Sequence, residues 1–233
     1  MVALSLPLSA WSPNRPCAAA NLVSGGRCGR RKPKENTMSR LKLAVIIGSV
    51  REGRFGPVVA RWFAEQAEAH GAFDIDVIDL AEMTLPLELP ATSPMLDPNP
   101  PRPEGMRELT RRLDAADAMV IVTPDINRSY PASIKTAIDW HFTQWQHKTI
   151  GFVGYSGNSG GLLAIEHLRQ VFNELNAHTV RDYVSFPRYY LLFDEAGRLR
   201  QPDEPAAAAQ RMLDQLHWWA SALAAARAVP AGV

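Results

Sequence analysis

Residues 43–63, LAVIIGSVREGRFGPVVARWF, constrain this chain more than any other segment. The unbroken apolar run over 43–47 leaves no room for polar alternation, which predicts a strand buried on both faces. It stops at Gly48-Ser49, crosses a short loop carrying Arg51, Arg54 and Gly56, and enters an amphipathic helix. Strands of that kind belong to parallel sheets covered by helices, where ligands sit beyond the carboxyl ends of the strands. The following helix offers backbone N–H groups to an anion. A hydroxyl and two guanidinium groups in the same turn make a phosphate the expected guest.

The rest of the chain keeps that rhythm. Helix-period stretches are predicted at about 56–70, 103–115, 131–143, 161–175 and 203–228, with strands at 42–48, 74–80, 118–123, 148–154 and 179–185. Pro131 suits a first helical turn and Gly71 a C-terminal stop. Val58, Val59, Trp62, Phe63 and Ala67 share one face of the first helix, and Met212, Leu216, Trp219 and Leu223 one stripe of the last. Strict alternation predicts an α/β fold, a three-layer doubly wound sheet of five parallel strands. In the second strand Ile75 and Val77 alternate with Asp74, Asp76 and Asp79, which suits an exposed edge guarded by acids. Residues 81–103 hold seven prolines and so are neither helix nor central strand. A loop of that length is expected to be functional or to form an interface.

Charge and cysteine separate the N-terminal segment from the body. Of the 25 basic and 24 acidic residues, seven basic and one acidic lie within 1–40, leaving a mildly acidic body. A nucleic-acid groove would need its positive charge on folded surface, so that class of partner is not expected. Cys17 and Cys28 also fall in the first segment. The body therefore has no means of forming a disulfide framework or a cysteine nucleophile, which fits a reducing, cytoplasmic location. The six histidines show no metal-ligand spacing, and no metal site is expected. No apolar run approaches the ~20 residues of a membrane span. Residues 1–39 read as a disordered basic extension without the charge order of a secretory signal. Residues 40–233 are the expected folded domain, with Met38 a sensible alternative start.

Three strand-end loops carry the chemistry: 48–56 (GSVREGRFG), 124–130 (PDINRSY) and 154–161 (GYSGNSGG). With strand order 2-1-3-4-5 these loops follow three neighbouring strands and open on one edge of the sheet. The first supplies charge and hydroxyl; the other two supply backbone and small polar groups. Tyr130 and Tyr155 can wall a flat ring, and the glycines of the third loop let a planar ligand lie against main chain. A phosphorylated planar cofactor fits better than a dinucleotide. Other readings stand beside this one. Arg51 and Arg54 could pair with Glu52 or Asp79, Tyr155 could serve packing alone, and Lys135 with Asp139 could be a plain i,i+4 ion pair. The tryptophans at 140, 145, 218 and 219 are expected in core or interface.

In these loops the chain resembles the NADPH-dependent FMN reductase family of flavodoxin-like proteins. The family's first loop reads G-S-x-R and is matched by Gly48-Ser49-Val50-Arg51. Its second, close to P-E-Y-N-x-S-x-P followed by L-K-N-A-I-D-W, is matched by residues 124–131 and Lys135-Thr136-Ala137-Ile138-Asp139-Trp140. Its third, Y-G-G-x-x-G-G, is matched by residues 155–161. The resemblance implies that Ser49, Arg51, Arg54, Phe55 and Gly56 hold the phosphate of FMN. It implies that Pro124, Asp125, Ile126, Asn127, Ser129 and Tyr130, with Tyr155, Ser156, Gly157 and Gly160, frame the isoalloxazine. Asp125-Ile126 replaces the usual Glu-Tyr, and Ser156 stands where glycine is common.

The implied activity is an oxidoreductase that takes hydride from NADPH or NADH onto FMN and passes it to a flavin, quinone or other small acceptor. No catalytic side chain is needed for this, because the flavin carries the chemistry. The resemblance also implies a homodimer. Two alternatives are a flavodoxin-like FMN electron carrier without nicotinamide turnover and a flavin-free α/β interaction module. The first loop, with arginines in place of a T-x-T-G-N-T run, argues against the carrier.

Overall fold

A computed structural model describes residues 40–97 and 99–229. The expectation for residues 1–39 lies outside the described residues. The chain runs β1 (Leu41–Ile47), α1 (Gly56–His70), β2 (Phe73–Asp79), α2 (Glu104–Ala115), β3 (Ala118–Pro124) and α3 (Ala132–Asp139). It continues with β4 (Thr149–Ser156), α4 (Leu162–Glu174), β5 (His178–Thr179), β6 (Val184–Pro187), the short α5 (Tyr189–Leu192) and α6 (Asp203–Arg227). All pairings are parallel, in the order β2-β1-β3-β4-β5, with β6 also on β4. This is the flavodoxin-like doubly wound sheet.

Two apolar layers sandwich the sheet, and β1 feeds both because side chains alternate along a strand. Leu43, Val45 and Ile47 join the layer of α1 and α6, whereas Ala44 and Ile46 join that of α2, α3 and α4. Every residue of β4 is buried, as a central strand covered on both faces requires. In α2, Met106, Leu109 and Leu113 are buried at helical spacing, the two leucines within the second layer. Fully buried Phe63 and Phe152 contribute on the order of 2–3 kcal/mol each through removal of ring surface from water. The helix α1 ends at Gly71, whose left-handed φ of 79° lets its N–H reach the Ala67 carbonyl at 3.3 Å.

Four expectations need correction. The last strand is split into β5 and β6, since the intervening carbonyls of Val180 and Arg181 accept from the Arg169 guanidinium at 2.6 and 2.9 Å. Gln215 takes the Asp182 N–H at 3.2 Å, so that backbone is satisfied without a ladder. The third helix closes at Asp139, because the next turn tightens and drives Trp145 into the core, its indole N–H on the Ile138 carbonyl at 3.3 Å. In β2 the buried side chains are Phe73 and Ile78, and Val77 is 42% exposed, since the end of this edge strand beyond Phe73 is covered on one face only. On α6 the buried stripe runs through Ala209, Met212, Leu213, Leu216 and Ala220, leaving Trp219 and Trp218 at the surface.

Candidate flavin site

The loops after β1, β3 and β4 meet around one cavity of about 220 Å³. Its wall includes Ser49, Arg51, Arg54 and Phe55 from the first loop and Pro124, Asp125 and Ile126 from the second. Tyr155, Ser156 and Gly157 come from the third. Larger hollows exist, such as about 780 Å³ beside Arg169 and Arg211, but they hold none of these loop residues. Composition, not size, marks the site.

The first loop is pinned from both sides. Gly48 donates to the Val122 carbonyl at 2.9 Å, and its own carbonyl accepts from the buried Ser133 hydroxyl. Its backbone then turns at Arg51–Arg54, helped by Gly53 at φ 65°. Arg51 is exposed and forms no ion pair among the described residues. Arg54 does pair, with Asp79 at the end of β2, so one of the alternatives set out above holds for it. Its Nε atom is buried and has no hydrogen-bond partner among the described residues. Arg54 thus turns one edge to Asp79 and keeps an unused donor.

The start of α1 is less free than its position suggests. Pro57 has no N–H, and the N–H groups of Val58 and Val59 both reach the Phe55 carbonyl, at 3.1 and 3.3 Å. The Tyr155 hydroxyl lies against the same turn, 3.0 Å from where a Cβ on Gly56 would stand. Burial raises the Tyr155 phenol to about 12 against an ordinary 10, the neighbouring Ser49 hydroxyl and Gly56 backbone lowering it only in part.

The second and third loops are stapled together by side chains that the sequence suggested for the ring. Asp125 accepts from the Ala164 N–H at 2.8 Å and from the Ser159 hydroxyl. The Ser156 hydroxyl accepts from the N–H groups of Gly161 and Asn158, at 3.3 and 3.4 Å. Ser129 bonds His167 Nδ1 at 2.9 Å, away from the cavity. Residues 126–129 form a two-residue turn closed by bonds of 2.7 and 3.0 Å between Ile126 and Ser129. Asn127 (φ 48°) and Arg128 (φ 69°) are both left-handed there, as such a turn demands. That turn carries Asn127 outward and leaves Ile126, 39% exposed, on the cavity rim.

Five of the expected residues do not line the cavity. Asn127 and Ser129 are removed by the turn just described, and Gly56 is covered by the Tyr155 hydroxyl. Tyr130 packs against the layer under α3, and burial raises its phenol above the usual range. Gly160 (φ 67°) is taken up by β6, its carbonyl accepting from the Ser185 hydroxyl at 3.0 Å. Sequence reasoning missed two wall residues, Gly53 and Tyr189. Tyr189 opens α5 directly after β6 and packs on Phe55, ring centroids 4.7 Å apart. Its signal was available, as the first aromatic beyond the carboxyl end of the last strand.

A profile of the NADPH-dependent FMN reductase family matches residues 41–190, which include all three loops. The chain belongs to this family. An NAD(P)H-dependent FMN reductase of Schizosaccharomyces pombe is 32% identical over 120 residues, 52% of this chain and 60% of that protein. A 2-hydroxy-1,4-benzoquinone reductase of Burkholderia is 30% identical over 162 residues, covering 67% of this chain and 81% of the relative. Among solved structures, the flavoenzyme NAD(P)H:(acceptor) oxidoreductase FerB of Paracoccus denitrificans has a TM-score of 0.61 at 22% identity. That alignment covers 78% of this chain and 98% of FerB and supports the fold. Family membership makes the chain an NAD(P)H-dependent oxidoreductase that works through FMN, so the carrier and flavin-free alternatives are set aside. Among the described residues no helix is long and apolar enough to cross a membrane.

The residues present fit FMN. An anion at the first loop would meet Arg51, the unused Arg54 Nε and a hydroxyl in one place. Beside Gly157 there is open space where a side chain would otherwise stand, as a flat ring lying on main chain needs.

Proposed function

We propose that this cavity holds the phosphate and ribityl end of FMN, with the isoalloxazine at its mouth between the second and third loops. The observation that carries this reading is the donor set: Ser49, Arg51 and Arg54 converge with no carboxylate of their own loop turned against them. At about 220 Å³ the enclosed part is smaller than the ~300–1,000 Å³ of clefts that bury whole ligands. A ring at the rim is what an enzyme serving two successive substrates on one face requires. Ser49, Arg51 and Arg54 would fix the phosphate. The Ile126 side chain, the Gly157 main chain and the Phe55–Tyr189 pair would border the rest of the nucleotide.

Bound FMN supplies hydride acceptance from NADPH or NADH and onward transfer to a small acceptor. What the protein adds is orientation and electrostatics. Backbone N–H groups of the third loop would oppose the charge of the reduced ring. A second, apolar groove of about 360 Å³ borders the first loop at Val50 and is lined by Leu80, Met83, Leu85 and Leu87. It adjoins the phosphate loop and shares no wall residue with the flavin cavity, so this reading places a small, uncharged, flat acceptor such as a quinone on the open face of the ring instead. The benzoquinone relative supports that class.

The proline-rich segment exposes Leu87 (81%), Leu96 (75%) and Met95 (59%), and the reading includes a homodimer that covers them. A cytoplasmic location accompanies it, supported by the use of a reduced nicotinamide nucleotide. The test is to purify the full chain, titrate the apoprotein with FMN and follow NADPH oxidation anaerobically with a benzoquinone acceptor. Stoichiometric flavin uptake and quinone-dependent turnover are expected. Failure to take up FMN would overturn the site; uptake without turnover would overturn the acceptor class.

A further inference from the structure

Among the described residues, Asp125 is the one carboxylate on the wall of the flavin cavity. It forms no ion pair among them. Its oxygens are held instead by the Ala164 N–H at 2.8 Å and by the Ser159 hydroxyl. The two guanidinium groups of the wall, Arg51 and Arg54, belong to the first loop, where Arg54 already pairs with Asp79. The cavity is therefore polarised, with cations at the loop after β1 and a carboxylate at the loop after β3.

Hydrogen-bond directions around Asp125 follow from donor chemistry. A carboxylate only accepts and a backbone N–H only donates. Ser159 donates to Asp125, so the 3.2 Å contact between the Ser156 and Ser159 hydroxyls uses the Ser156 proton. The Ser156 oxygen in turn accepts from the Asn158 and Gly161 N–H groups. Both serine protons thus run toward Asp125, and neither is left for a ligand in the cavity. The same carboxylate occupies the positive end of α4, a 13-residue helix with no acid in its first turn and no capping side chain of its own. A ring beside this wall meets the aspartate charge where a bare helix N-terminus would have been positive.

We propose that Asp125 tunes the flavin: its carboxylate opposes the negative charge that the ring gains on reduction, and so holds bound FMN at a lower potential than a neutral side chain would. Hydride brings two electrons and one proton to a neutral ring, which leaves one negative charge on it. That charge is disfavoured beside a carboxylate that has no cation of its own. Charge near the ring is among the means by which a protein sets a flavin's electronics. A lower potential narrows the drop from NADPH and widens the drop to the acceptor, which favours the second hydride transfer. Asp125 acts through its field and moves no proton.

This inference rests on the FMN reading, and the test separates the two. Midpoint potentials of FMN bound to the full chain are measured by anaerobic spectroelectrochemical titration, with the affinity for oxidised FMN alongside. The proteins are the wild type, Asp125→Asn, Asp125→Glu and Ser159→Ala. Asp125→Asn keeps an acceptor for Ala164 and removes the charge. Its preference for reduced over oxidised FMN should rise about tenfold, the scale of a unit charge acting over several ångströms in a part-hydrated site. For a two-electron couple that is ~30 mV upward. Asp125→Glu keeps the charge, and Ser159→Ala disturbs the loop without removing it, so neither should raise the potential. An unchanged or lowered potential in Asp125→Asn, or an equal rise in either control, would overturn the tuning role while leaving the FMN site standing. Loss of FMN by Asp125→Asn would overturn it too, making Asp125 a binding residue. A wild type that takes up no FMN would overturn both readings.

Discussion

The Asp125 carboxylate accepts a hydrogen bond from the backbone N–H of Ala164 at 2.8 Å, joining the loop after β3 to the first turn of α4. That helix has Gly161 at its N-cap, no capping side chain of its own and no acid in its first turn. Asp125 serves as the cap from 39 residues away in sequence. Its other oxygen holds Ser159, so a single side chain sets the spacing of two loops that border the cavity.

Asp125→Ala should therefore cost roughly 1–2 kcal/mol of stability, the scale of a lost helix cap. Thermal unfolding of the apoprotein is the check. Asp125→Asn keeps an acceptor for Ala164 and should lose less. Equal stability of all three proteins would show that the cap contributes nothing.

Arg51 is exposed and forms no ion pair among the described residues, so its contribution should be to the ligand and not to the fold. Arg51→Ala should weaken FMN binding by roughly 1.5–3 kcal/mol, as for a hydrogen bond to a charged group. The unfolding temperature without flavin should stay where it was. Calorimetric titration at two salt concentrations checks this, and an affinity unmoved by the substitution would remove Arg51 from the phosphate site.

Gly161 sits at φ 87°, and a Cβ there would lie 2.6 Å from the Tyr155 backbone nitrogen. Neither the left-handed angle nor the β4 main chain can yield cheaply. We expect Gly161→Ala to destabilise the apoprotein by roughly 2–3 kcal/mol in chemical denaturation. An alanine tolerated without loss would mean that the third loop can move off β4.

His141 gives the fold a pH dependence remote from the cavity. It is 1% exposed, and burial lowers it to about 4 from an ordinary 6.5. Its Nδ1–H donates to the Ala137 carbonyl at 2.7 Å, and Nε2 lies 2.8 Å from the Thr110 hydroxyl, with no carboxylate bonded to the ring. Between pH 6.5 and 4 the unfolded chain binds the proton that the native ring refuses. Stability from this group is full above pH 6.5 and falls with acidification, by about 2 kcal/mol at pH 5. Urea unfolding at pH 7 and pH 5 should show that loss, and His141→Gln should flatten the slope. A slope unaffected by the substitution would place the acid sensitivity elsewhere.

Much of this molecule follows from short-range pattern. The apolar runs of β1, β3 and β4 have no polar face to offer water, so they must be covered on both sides, and helices of matching period supply the cover. Glycine, proline and small polar residues end each strand, which is enough to bring three loops to one edge and to put Ser49 and Arg51 there. Folding in three dimensions settled where each side chain of those loops points. Asp125, Ser156 and Ser129 sit in flavin-family motifs, yet they find partners in α4 and in each other, because a buried donor or acceptor without a partner is costly. Arg54 is shared with Asp79 from the neighbouring strand. The head of α1 turns its amides to the Phe55 carbonyl and rests on a tyrosine about a hundred residues downstream. A linear pattern carries the period of burial, which is local; hydrogen-bond partners separated by whole strands are chosen by the packing of the sheet.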